Sequence, residues 1–206
     1  MFGNTLTLVV SMGLAGSLPA LMSRVKRCFI LALVVASSLA TLQSATLERL
    51  TLDDMILRST TIVRGKVTAS WADFTGSVIY THYQVQVIEQ FKGAPRTSVE
   101  VMTPGGIAKG VKSTFSGSPA LNTGDEFVFF LWTSKTGITW ITGLTQGLFA
   151  LTPEVTADRV ATRSASRELM LDPDTARPVK DTALSMRLSA LRSRIAATLA
   201  AQGGGK

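Results

Sequence analysis

The run Val78–Lys92, VIYTHYQVQVIEQFK, alternates along almost its whole length. Ile79, Thr81, Tyr83, Val85 and Val87 share one parity, while Tyr80, His82, Gln84 and Gln86 share the other. Successive side chains of a strand point to opposite faces, so this run reads as one long strand with a face in a core and a face toward water. A strand of this length needs other strands beside it, and the chain must supply them. The run stops at Phe91-Lys92-Gly93. Phe91 continues the inward parity and is expected to close the core, Lys92 to point to solvent, and Gly93 to permit the turn.

The neighbouring text supplies the partners. TIVRGKVTASW, from Thr61, alternates as a strand, and DFTGS turns it into the long one. SVEVMT follows, then the Gly-rich stretch from Pro104 to Glu126, long enough for a functional loop or a loose hairpin. EFVFFLW, Glu126 to Trp132, is apolar throughout and reads as a strand buried on both faces. GITWITGLTQGLFALTP supplies two more short strands broken by Gly143 and Gly147. Before these strands, TLERLTLDDMILRST is helical in pattern, with Thr51 and Asp54 as a capping pair. After them, the text from Glu154 turns polar, with a short strand at Glu168–Leu171. Leu184, Leu188, Leu191, Ile195 and Leu199 then form a single helical stripe.

Short strands separated by turn signals predict a mainly β fold: a small closed barrel or a sandwich, with a short N-terminal helix and an amphipathic C-terminal helix. IVRGKV, YQVQVIEQFKG, VEVMTP and GDEFVFFL, in that order, resemble the strand series of netrin-like domains, which include the tissue inhibitors of metalloproteases. The sequence is still more similar to a set of uncharacterised exported bacterial proteins sharing PGG, GSP, GDE before an apolar strand, and a late GLTQGLF. The resemblance spans about Thr61 to Thr152 and implies an OB-like β-barrel. Animal inhibitors of metalloproteases reach the metal through an N-terminal cysteine. The sole cysteine here, Cys28, lies elsewhere, so the resemblance carries the fold and not that activity.

Cys28 falls within MSRVKRCFILALVVASSLATLQSA, which begins at Met22 with basic residues, continues with an apolar run and ends in small residues. This is the layout of a Sec-type export signal, with cleavage expected after Ala40 or Ala45. The apolar run is too short to span a bilayer. Arg27 stands where a lipoprotein signal needs a small residue, so the expected address is secreted or periplasmic without a lipid anchor. The uncharged stretch before Met22 reads either as a first membrane segment or as a start placed too early. The chain then divides into a leader over 1–45, a helix-plus-barrel domain over 46–153, and a polar extension with a C-terminal helix over 154–206 packed on the barrel. The mature part has no disulfide to rely on and is expected to be monomeric.

The chain carries 21 Lys and Arg against 14 Asp and Glu, but Arg24, Lys26 and Arg27 belong to the leader. The remaining excess is spread out, and no basic block argues for nucleic acid. His82 is the only histidine, and no Gly-x-Ser-x-Gly elbow accompanies it, so it is expected to be exposed and structurally neutral. GGIAKGVKS departs from a phosphate-binding loop, since Val111 separates Gly110 from Lys112. Zinc spacing is absent, and Asp172 and Asp174 lack the further ligands of a calcium loop. No catalytic residue, metal or cofactor is therefore assigned.

The aromatic residues and the loop carry the binding expectation. Trp71, Tyr80 and Trp140, with Lys109 and Lys112 of the Gly-rich stretch, form the candidate surface for a protein or an envelope polymer. Two other readings stay open: an exported hydrolase with an unrecognised site, and a barrel that binds oligonucleotides or other polyanions. Arg187, Arg192 and Arg194 flank the C-terminal stripe, a layout shared by helices that lie on anionic membranes. Docking on the barrel is the simpler use of that stripe.

Overall fold

The computed structural model describes residues 46–152 and 158–204. The leader and both cleavage sites lie outside the described residues. The described chain is mainly β. A short strand, β1 (Thr46–Glu48), precedes the helix α1 (Leu52–Arg58). Two long strands follow, β2 (Thr61–Thr75) and β3 (Val78–Lys92), then β4 (Ser98–Pro104) and a hairpin of β5 (Gly106–Ala108) and β6 (Val111–Ser113). Next come β7 (Glu126–Thr133), β8 (Thr139–Ile141), a 3-10 turn at Leu144–Gly147 and β9 (Leu148–Leu151). The remainder is β10 (Val160–Arg163), β11 (Leu169–Leu171), β12 (Pro178–Val179), β13 (Leu184–Arg187) and α2 (Leu188–Gly203).

The main sheet has the order β13-β10-β9-β7-β2-β3-β4-β8, and β8 also pairs with β7. β2, β3 and β4 are consecutive antiparallel neighbours, and β7 returns to lie beside β2, which is Greek-key order. β8 then runs parallel to β4 on one side and antiparallel to β7 on the other. Pairing therefore runs in a circuit of five strands, β2-β3-β4-β8-β7. The second edge of β7 is shared between two partners. Phe127–Phe129 pair with β9, and Leu131–Thr133 pair with β8.

Alternation assigns the two sides of β7 to two cores. Phe129 and Leu131 join Val63, Val67, Tyr83, Val85, Val99, Val101 and Ile141 inside the circuit. Val128 and Phe130 face outward onto Met55 and Ile56 of α1, Phe149 of β9, and Leu188, Leu191 and Ile195 of α2. Gly147 lets the chain return tightly under β7, because a Cβ there would stand 2.4 Å from the Thr142 carbonyl oxygen.

Several expectations change in this frame. The segment read as one helical pattern opens as strand, β1, which pairs in parallel with β11. The helix proper begins after Thr51, whose hydroxyl accepts from the Asp54 amide at 3.1 Å while the Asp54 carboxylate accepts from the Thr51 amide at 3.0 Å. Leu184 is not on the C-terminal helix. Leu184–Arg187 pair with β10 as a strand, and α2 starts at Leu188. The polar extension is thus woven into the main sheet through β10 and β13.

Phe91 does not plug the interior of the circuit. It is half-buried against the second core, with Arg192 over its ring at 5.9 Å. Lys92 does not point to solvent. Its Nζ donates to the carbonyls of Ile56 and Leu57, at 2.7 and 3.0 Å, in the last turn of α1. Gly93 has the positive φ, 95°, that the turn requires. The apolar stripe of α2 is packed into the second core, and Arg192 and Arg194 pair with Glu89 and Asp53. No helix among the described residues is long and apolar enough to cross a membrane.

Candidate functional site: a row of tryptophans on the outer face

In β2 the residues from Ser70 to Thr75 pair with β3 without register shifts, so directly opposite residues share a face. Trp71 lies opposite His82, His82 opposite Met102 of β4, Met102 opposite Trp140 of β8, and Trp140 opposite Trp132 of β7. The chain has three tryptophans, and all of them stand on this one row around the outside of the circuit. Its ends are open: Trp71 is 45 % exposed and Trp132 47 %. Its middle is closed over, with Met102 only 7 % exposed between its neighbours.

The row is held in place by specific contacts. The Trp71 and His82 rings stack at 5.2 Å between centroids with planes 9° apart. Glu100, diagonal to His82 on β4, accepts from His82 Nδ1 at 2.7 Å, which fixes the imidazole and through it the indole. Tyr80 meets Trp140 edge-on at 5.4 Å. His82 is thus not the exposed residue expected, since its side chain is 15 % exposed, stacked on Trp71 and hydrogen-bonded to Glu100. A pair of histidine and carboxylate is one half of a general-base system. The other ring nitrogen has no hydrogen-bond partner among the described residues. No group of three or more His, Cys, Asp or Glu side chains among the described residues is placed to hold a metal.

Of the residues singled out in the sequence, Trp71, Tyr80 and Trp140 come together on this face. Lys109 and Lys112 do not join them. Both belong to the β5–β6 hairpin, with Lys109 at its tip in a left-handed conformation, φ 50°. Lys109 Nζ lies 5.8 Å from the centre of the Phe74 ring, and Phe74 has the parity opposite to Trp71. Lys112 lines a separate cleft of about 210 Å³ with Thr81, Tyr83, Thr103 and Phe115. The lysines therefore serve the other side of the β2–β3 ribbon.

Trp132 was hidden in the sequence at the end of an apolar run. Its parity, shared with Val128 and Phe130, was the available signal. Beside it a cleft of about 570 Å³ is lined by Leu47, Leu50, Arg58, Thr142 and Gln146. The Gln146 amide is already spent on backbone, accepting from Leu50 N and donating to Glu48 O, each at 2.9 Å. Arg58 donates to Glu48 at 2.7 Å, and that hydrogen bond holds the Glu48 carboxyl below its ordinary pKa. The row and this cleft offer aromatic faces, apolar walls and few uncommitted polar groups, which is the chemistry of a binding surface. Comparison with protein-family models and with curated proteins finds no match to this chain.

Proposed function

We propose that the protein is an exported, non-enzymatic binding module that holds a protein or an envelope polymer on its tryptophan row. The observation that carries this reading is the placement of all three tryptophans on one outer register, two of them nearly half exposed. An OB-like barrel of the netrin-like kind is the proposed scaffold. The five-strand circuit in Greek-key order supports it, as five strands closed in that order are what such a barrel requires. Export to the periplasm or medium rests on the leader that begins at Met22. A polyanion is the weaker candidate ligand, because Asp73 and Glu100 place carboxyls beside the Trp71 end of the row, and Arg58 at the Trp132 end is already paired with Glu48. A hydrolase reading has no hydroxyl hydrogen-bonded to His82 among the described residues to support it.

Intrinsic fluorescence tests the proposal directly, since every indole of the chain sits on the surface in question. Soluble envelope glycans and a panel of short peptides are titrated into the mature protein. The expected result is a saturable change in emission, with affinity reduced roughly fivefold or more in Trp71→Ala and in Trp132→Ala, as loss of one stacking platform costs about 1 to 3 kcal/mol. Ligand capture undiminished in the double variant would refute the row as the site.

A further inference from the structure

β2 is longer than the strands that cover it. On one side β3 pairs with it over its whole length, but on the other β7 reaches only from Thr61 to Lys66. One further step is covered by the turn before β7, where the Val67 amide donates to Asp125 O at 2.9 Å and Val67 O accepts from Gly124 N at 2.8 Å. Beyond that no described residue pairs with the outer edge. Its direction follows from the ladder, because backbone groups of successive residues alternate between the two edges of a strand. Ile79 O accepts from Gly105 N, and the Val87 amide donates to Thr97 O, so odd-numbered residues of this part of β3 turn toward β4. Their partners on β2 therefore turn away from β3, as Val67, opposite Val85, does. Ser70, Ala72 and Phe74 lie opposite Tyr83, Thr81 and Ile79 and point their amides and carbonyls the same way.

No backbone or side-chain group among the described residues pairs with the Ser70 or Ala72 amides on that edge. The Phe74 amide alone is taken, by the Asp73 carboxylate at 2.7 Å. An open row of this kind is a template for another strand, and proteins that do not use one usually cover it. The β5–β6 hairpin does not cover this one. Gly106 sits over the face of the ribbon, where a Cβ would meet Thr81, Ala72 and Ile79.

We infer that the edge of β2 from Ser70 to Phe74 accepts an extended peptide as an additional strand, with a lysine or arginine of that peptide laid over Trp71 beside Asp73. The inference rests on the reading above only through Trp71, which both use. Backbone pairing supplies the attachment and the side chains on alternate positions supply the choice. On one face the added strand meets the Trp71 indole, held from behind by His82 and Glu100, and the Asp73 carboxyl. Cations are attracted to both. On the other face it meets Phe74 and the hairpin, where Ile107 and Val111 are exposed, so apolar residues suit the alternate positions. A second copy of this chain fits less well. Antiparallel self-pairing about Ala72 would set the two Asp73 carboxyls diagonally on one face, like charge near like charge.

The probes are an acetylated six-residue peptide alternating lysine and valine, its glutamate-for-lysine counterpart, and its counterpart N-methylated at alternate backbone nitrogens. Amide exchange of Ser70 and Ala72 is followed together with tryptophan emission. With the lysine peptide, exchange of both amides should slow at least about tenfold at saturation. The glutamate and N-methyl peptides should bind about tenfold more weakly, and so should the lysine peptide to Trp71→Ala. Emission that changes while both amides exchange as before overturns strand addition and leaves the tryptophan row standing. Slowed exchange with affinity unaffected in Trp71→Ala supports strand addition but overturns the cation seat on Trp71, and with Trp132→Ala also unaffected it overturns the row. Protection that grows with protein concentration alone makes a second copy the occupant and overturns the inference. No protection at millimolar lysine peptide, or equal binding of the glutamate peptide, also overturns it.

Discussion

Neither Phe91 nor Lys92 plays the part that alternation alone gives it. Phe91 is half-buried beneath Arg192, whereas the Lys92 ammonium reaches under α1 and donates to two carbonyls that the helix leaves without partners. Its partial burial holds the Lys92 pKa below the ordinary value, because leaving water disfavours the charged form. Replacing Lys92 by Met keeps the stem and removes the donors, which should cost about 1.5 to 3 kcal/mol, the range for hydrogen bonds to a charged group. Phe91→Ala should cost less than Phe129→Ala, since Phe129 is fully buried inside the circuit and loses about 3 to 5 kcal/mol on truncation. Urea melts of the three variants give this order. A Lys92→Met variant as stable as the parent would show that the helix end does not need its ammonium.

The two helices are tied to each other as elements by one acidic residue. Asp53, in the first turn of α1, accepts from Arg194 Nε and from Thr198 Oγ1 of α2, both at 2.9 Å. The Arg194 hydrogen bond first, and the Thr198 hydroxyl second, hold the Asp53 carboxyl below its ordinary value of 3.8. A carboxyl whose pKa is lowered by folding stabilises the fold above its unfolded value and loses that contribution as the pH falls through the folded one. The tie is therefore complete at neutral pH and disappears only below 3.8. Because the pair is largely exposed, Asp53→Asn should cost no more than about 1 kcal/mol at pH 7, and the difference from the parent should vanish in strong acid. Chemical melts at pH 7, 5 and 3 measure it. A difference that persists unchanged at the acid end would assign the effect to packing instead of charge.

Over the whole unit from Ser44 to Lys206, the two cores are joined through shared strands, β2 with Ile62 on one side and Val63 on the other, and above all β7. β7 gives Phe129 and Leu131 to the inside of the circuit and Val128 and Phe130 to the layer under the helices. Neither core is complete without it, so the unit should unfold in one cooperative step. Deleting the chain from Leu188 onward would strip Leu191 and Ile195 from the outer core and should abolish that transition, leaving no independently melting circuit. Calorimetry and near-ultraviolet dichroism of the truncated chain decide this. A truncated chain that keeps a sharp transition would show that the circuit is the autonomous unit and the helices an addition.

The strands from Thr61 to Leu151 were legible in the sequence because period-two alternation is local: each residue's face follows from its neighbour's. The Thr51–Asp54 cap was legible for the same reason, as both partners lie within one turn. Three of the surface aromatics were legible by parity or strand position, but their convergence was not. Trp71, Trp140 and Trp132 are brought onto one row by register across five strands, and Trp132 joins only because β7 ends against β8. The helical stripe read from Leu184 failed because leucine at that position also fits a strand, and the edge offered by β10 decided in favour of pairing. Lys92 is the same lesson in one residue: its chemistry is in the sequence, but its partners lie 36 and 35 positions earlier. Local periodicity determined which segments are strands. Only tertiary structure could decide which strands meet, because register, the handover along β7 and the open edge of β2 depend on neighbours far away in the chain.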